Sequence, residues 1–191
     1  MAAACTERCS AARAGAAGAN PGKPYRVGVG TSFTQYRGSG FWTRDAALET
    51  VLALLVLELE PLAEENPGLE PILDVWTVQS VAGFGGCVSA GLDEHLASQP
   101  GLGEMVTAAL IRIRARLPRE GSIEVSSPNL ARRADRACEG NSWSTPGALA
   151  TWVGNVADAM QDLVAGRLPE TPEDFWFVNG DGRHARRKQR H

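Results

Sequence analysis

The chain has 191 residues, a formal net charge of −3, and ordinary apolar (43%) and charged (21%) fractions. A chain of this size buries roughly two-thirds of its unfolded surface, so one soluble domain needs neither a disulfide framework nor a structural metal. No apolar run approaches the ~20 residues of a membrane span, and no signal-peptide core follows Arg8 and Arg13, which points to a cytoplasmic protein without membrane attachment.

Met1 to Pro24 is rich in Ala and Gly, lacks periodicity and reads as a disordered tail over 1–24. Tyr25 to Gly30 alternates in character and predicts a short strand. Gly28 and Gly30 make only a fragment of a nucleotide-binding glycine loop, because the third glycine is missing and no helix pattern opens there. Gln35 to Gly40 reads as loop. Thr43 is the expected cap of a central helix, with Asp45 in its first turn. Leu48, Leu52, Leu55, Leu59 and Leu62 form its apolar stripe, Val51 and Val56 widen it, and Pro61 should end or kink it.

Beyond Asn66-Pro67-Gly68, the spacing of Ile72, Val75, Trp76 and Gln79 predicts a second helix that stops at Gly83. A glycine-rich loop leads to Cys87, and Ser89 is placed to cap a short helix through His95 and Leu96. Leu102, Val106, Ala109, Ile113 and Leu117 mark a fourth helix. Ile111 to Leu117 also alternates with period two, but the helical spacing starts a turn earlier and holds throughout. Ser122 to Val125 reads as a strand and Ser127 to Cys138 as a short helix or irregular segment. Thr145-Pro146 should open a helix that Leu149 to Val164 carries to Gly166. Phe175 to Val178 reads as a last strand before an Asn179-Gly180 turn. The expectation is an α+β, helix-dominated single domain over 25–180, with five or six helices and about three short strands. Residues 181–191 read as a basic disordered tail.

Charge is segregated along this order. Met1–Arg44 carries +5, Asp45–Ile111 carries −11 without one Lys or Arg, and Arg112–Glu139 carries +3. Gly140–Gly182 then carries −5 and Arg183–His191 carries +5. Nearly all cations are Arg, which together with abundant Ala and Gly suggests a GC-rich bacterial gene.

No cofactor or metal motif is present. The four cysteines, Cys5, Cys9, Cys87 and Cys138, lack CxxC spacing and read as free thiols in a reducing compartment. His95 with Asp93, Glu94 and Glu104 lacks the spacing of a metal site and reads better as a solvated acidic helix face. One catalytic pattern is conceivable: Cys87 beside a glycine turn, with His95 as its base, would make a Cys-dependent hydrolase or transferase. Eight residues of turn and short helix seldom bring two such side chains together, and the local negative charge opposes a thiolate.

The acidic block favours a different class. If Glu58, Glu60, Glu64, Glu65, Glu70 and Asp74 share a surface, that surface attracts a basic protein and repels nucleic acid. A non-catalytic binding module follows, in the form of an immunity-type inhibitor or an adaptor. Trp42, Trp143 and Trp176 lie at element ends and are expected to be partly exposed, with Trp42 and Trp176 the candidate anchors. Nucleic-acid contact is expected only through the tail Arg183–Arg190. The cations from Arg112 to Arg136 have no interleaved aromatics and are expected to neutralise acids within the fold.

Overall fold

The structure, a computed structural model, describes residues 30–83, 86–97, 99, 101–138, 142–170 and 175–186. β1 (Thr31–Tyr36) and β2 (Ser39–Arg44) form an antiparallel hairpin whose turn, Arg37–Gly38, has positive φ at both positions, 50° and 80°. Such a turn follows the right-handed twist of the strands, and glycine adopts it without steric cost. Gln35–Gly40, expected as loop, is therefore a hairpin tip. An arginine in the left-handed region concealed it, because Asn-Gly or Asp-Gly is the usual sequence signal. Apart from Gly30, the strand expected over residues 25–30 lies outside the described residues, as does the 1–24 tail.

β2 runs directly into α1 (Asp45–Leu59). Thr43 does not cap this helix: it is still in the strand, and its hydroxyl donates to the Val178 carbonyl at 2.9 Å. Leu48, Leu52, Leu55 and Leu59 of the leucine stripe are buried as expected, whereas Leu62 is half-buried in the 3-10 turn beyond the helix; Ala47, Val51, Ala53 and Val56 are buried too, so α1 is the central helix of the core. Regular helix stops at Leu59, and a 3-10 turn carries the chain over Pro61, whose ring cannot continue the ladder. A second 3-10 turn, Pro67–Leu69, opens α2 (Glu70–Val81), which packs on α1. Trp76 of α2 is fully buried, and its indole N–H donates to the Ala90 carbonyl at 2.7 Å.

The short α3 (Leu92–Leu96) follows a left-handed Gly91, and the Ser89 hydroxyl accepts from the Gly91 amide at 3.3 Å. α4 (Leu102–Arg116) settles the ambiguous segment as helix: Leu102, Val106, Ala109, Leu110 and Ile113 face the core and Ile111 faces out. β3 (Ser122–Glu124) is followed by α5 (Pro128–Ala137), which Ser127 caps by accepting from the Leu130 amide. β4 (Gly147–Leu149) pairs with β3, so α6 (Ala150–Val164) starts later than Thr145-Pro146 suggested. The Pro146 carbonyl accepts from the Val125 amide and thereby belongs to the sheet.

β5 (Phe175–Asn179) and β6 (Gly182–Arg186) make a second hairpin, so the basic tail expected from residue 181 is a strand as far as Arg186. β5 pairs in parallel with β2, giving a four-stranded sheet of order β1-β2-β5-β6, and β3 with β4 forms a separate two-stranded sheet. The domain is α+β and helix-dominated, with six α-helices, two 3-10 turns and six strands among the described residues. The inner face of the larger sheet, with Thr34, Phe41, Thr43 and Val178 buried, packs on α1 and α6. No helix among the described residues is long and apolar enough to cross a membrane.

Candidate functional site

The acidic block divides into a neutralised part and an open part. Glu58, near the end of α1, meets two arginines of α4: Arg112 Nε lies 3.0 Å from its carboxylate and Arg116 also pairs with it. Both cations outnumber the one carboxylate, so Glu58 contributes nothing to an acidic face. Arg114 likewise pairs with Asp158 of α6 at 3.0 Å. These contacts arise because α4 carries Arg at 112, 114 and 116 on its outward side, along the flanks of α1 and α6.

The stretch from residue 60 to 74 differs. Glu64 and Glu65 are exposed between the two 3-10 turns, with no ion pair among the described residues. Glu70 and Asp74, one helical turn apart at the start of α2, share a single arginine from α5. Arg133 is 1% exposed, pairs with Glu70, and reaches Asp74 at 3.2 Å, while the two carboxylates stay open to solvent. Glu60 is half-buried, and its Oε2 has no hydrogen-bond partner among the described residues. Five carboxylates within fifteen residues thus share one ion-paired guanidinium, that of the buried Arg133. An open cleft beside it is lined by Glu70 and Asp74 on α2 and by Arg136 on α5.

The Cys87 loop is held by a different carboxylate. Asp45, buried at the start of α1, accepts from the Ser32 hydroxyl at 2.7 Å and from the Gly86 amide. The Val88 amide donates to the same Ser32 hydroxyl at 2.9 Å. Gly30 completes this knot, since a Cβ there would overlap the Asp45 carboxylate. The amides on either side of Cys87 are therefore already engaged, which removes two donors that an oxyanion hole at Cys87 would use. Cys87 is a half-buried free thiol and Cys138 a buried one; burial, with Asp135 adding to it, pushes the Cys138 thiol up. No hydrogen bond joins Cys87 to His95 among the described residues, and His95 leans on Gly91 of its own turn. Cys5 and Cys9 lie outside the described residues. No group of three or more His, Cys, Asp or Glu that could hold a metal ion occurs among the described residues.

One turn past Asp45, Glu49 is largely enclosed. Burial first, then the neighbouring Asp45 charge, raises its pKa from 4.5 to about 7.

The two candidate tryptophan anchors lie on opposite faces of the larger sheet. Trp42 is 36% exposed on the outer face beside Phe33, which is 39% exposed, with ring centroids 5.3 Å apart. Trp176 aligns with the buried Phe41, so it turns inward; its indole donates to the Pro169 carbonyl and Arg183 lies over its ring. Trp143 is half-buried, and its indole donates to Asp135. Sequence reading missed Phe33, Phe175 and Phe177 as companions of Trp42. Their signal is the period-two alternation on both sides of the Arg37–Gly38 and Gly180–Asp181 turns, which places them on one face.

No model of a known protein family matches the chain, and neither a curated protein nor a solved structure matches it.

Proposed function

We propose that the protein is a non-catalytic binding module that presents the surface around Glu60, Glu64, Glu65, Glu70 and Asp74 to a basic protein partner, as an immunity-type inhibitor or an adaptor does. The observation that carries this reading is the imbalance of charge over residues 60–74: five carboxylates, four of them exposed, against the buried Arg133 and the exposed Arg136 across the cleft. The negative end of α1 points to the same region, and its last turn holds no basic residue to offset it. A field of this kind speeds encounter with a positive partner and weakens as salt rises. Glu58 drops out of the proposed surface because Arg112 and Arg116 occupy it. Trp42 and Trp176 drop out as well, since both belong to the sheet.

The test pairs two charge reversals of equal size. Glu64→Lys with Glu65→Lys alters the surface, whereas Glu120→Lys with Glu170→Lys alters exposed carboxylates elsewhere. Binding of a polyarginine peptide is measured at roughly 50 mM salt, where surface charges are least screened. The first double variant should lose at least tenfold in affinity and the second less than threefold. Equal losses would mean that net charge alone attracts the peptide. A thiol enzyme built on Cys87 and His95 gains no support from the loop geometry.

A further inference from the structure

The four strands of the larger sheet contain Arg44, Arg183, His184 and Arg186 and not a single Asp or Glu; Arg183 is in register with the buried Val178 and pairs with Asp162 at 2.7 Å, while His184 and Arg186 are exposed. Strand register places Phe33 beside Trp42, Trp42 beside Phe177, and Phe177 beside His184. These four side chains therefore form one row across the outer face, about 14 Å long at ~4.8 Å per strand. Phe175 adds a fifth ring, edge-on to Trp42 with centroids 6.3 Å apart. Gly40 makes room for the row, since a Cβ there would overlap the Phe33 ring. Arg186 is exposed on the same face, its guanidinium 4.8 Å from the centre of the Phe177 ring. Arg37 stands at the tip of the first hairpin, over Tyr36. The described helices that contact this sheet pack on its other face, and Phe33 and Trp42 remain more than a third exposed.

We propose that this outer face binds single-stranded nucleic acid. Unpaired bases stack on Phe33, Trp42 and Phe177, and phosphates meet Arg186. The chemistry fits on both counts: an aromatic row on a sheet offers π-faces to two or three bases regardless of their identity, and strands without a carboxylate that carry the exposed Arg186 attract the backbone. A basic protein is the wrong partner for this face because the signs match. The acidic surface over residues 60–74 would keep the strand confined to the sheet. The proposal is independent of the acidic-surface reading, since the two use different residues and ligands of opposite charge.

The test is fluorescence anisotropy of labelled oligothymidine and oligouridine 12-mers with the full chain, at about 50 and 200 mM salt. Both should bind, more weakly at the higher salt, and a duplex of equal length should bind less well. A preference for one of the two identifies the natural strand as DNA or RNA. Trp42→Ala and Phe33→Ala should each weaken binding about 5- to 100-fold. Arg186→Gln should weaken it and lower the salt slope by about one. Both aromatic side chains are substantially exposed, so these variants should keep the fold, which circular dichroism checks; should Trp42→Ala unfold, Phe33→Ala decides. The proposal is overturned by no binding at the lower salt, or by unchanged affinity in the aromatic variants. It is also overturned if binding disappears only on removing Arg187–His191, or if sedimentation shows the face closed by a second copy in a dimer that Trp42→Ala dissolves.

Discussion

At the scale of single residues, the start of α1 holds two carboxyl groups with opposite consequences. Asp45 is buried but satisfied, with one oxygen on the Ser32 hydroxyl and the other on the Gly86 amide. Replacing it by Ala leaves the buried Ser32 hydroxyl and the part-buried Gly86 amide without this acceptor, and should cost about 2 kcal/mol in denaturant unfolding. Hydrogen exchange at Gly86 and Val88 should accelerate in the same variant, because the loop loses its anchor. Glu49 is enclosed without such partners, and its pKa lies near 7 when folded. The folded chain then holds a proton that the unfolded chain has released. With respect to this group stability is greatest below about pH 4.5, falls as pH rises to about 7, and is level above that. Glu49→Gln should remove the slope and raise stability at pH 8 by about 1 to 2 kcal/mol, solvent at the partly open carboxyl screening the remainder. Urea titrations at pH 4.5 and pH 8 read this directly.

At the scale of elements, Arg133 joins α5 to α2 from a fully buried position, while Glu70 and Asp74 remain solvated. Its Nε has no hydrogen-bond partner among the described residues, so the guanidinium is incompletely satisfied. Arg133→Met fills the same volume and returns two carboxylates to water, and should change stability by less than about 1 kcal/mol. Arg133→Ala leaves a cavity and should cost about 3 kcal/mol, and comparison of their melting curves separates packing from charge. The helices were readable because their evidence is local: α1 announces itself through Leu48, Leu52, Leu55 and Leu59 at helical spacing. The larger sheet was not readable in this way. Its central pair joins β2 to β5, with Thr43 bonded to Val178 across 135 residues, and no local pattern records that register. Thr43 shows how the error propagates, for a residue with good capping chemistry was already committed to the sheet. β6 was hidden by its own charge, since Arg183 to Arg186 reads as a solvated tail until β5 supplies a partner.

At the scale of the whole molecule, sequence segregation of charge survives folding, but its boundaries move. Arg112 and Arg116 neutralise Glu58, as the basic segment was expected to do, whereas residues 60–74 keep their excess of carboxylates. Half of that outcome was legible: the acidic run is contiguous in sequence, but which acids an arginine from α4 or α5 would reach depends on helix packing. The carboxylate-rich turn region and the sheet whose strands carry no carboxylate lie on separate elements, and under the two proposals each would meet a different partner. Both interactions should weaken as salt rises, while stability should change little over the same range, because the core around α1 is apolar. The most direct measurement is an amide NMR titration of the isotope-labelled protein with a polyarginine peptide at low salt. The account predicts that shifts concentrate over Glu60 to Asp74 and leave Thr31–Arg44 and Phe175–Arg186 unmoved. Shifts spread evenly over every exposed carboxylate, or centred on the sheet, would contradict it.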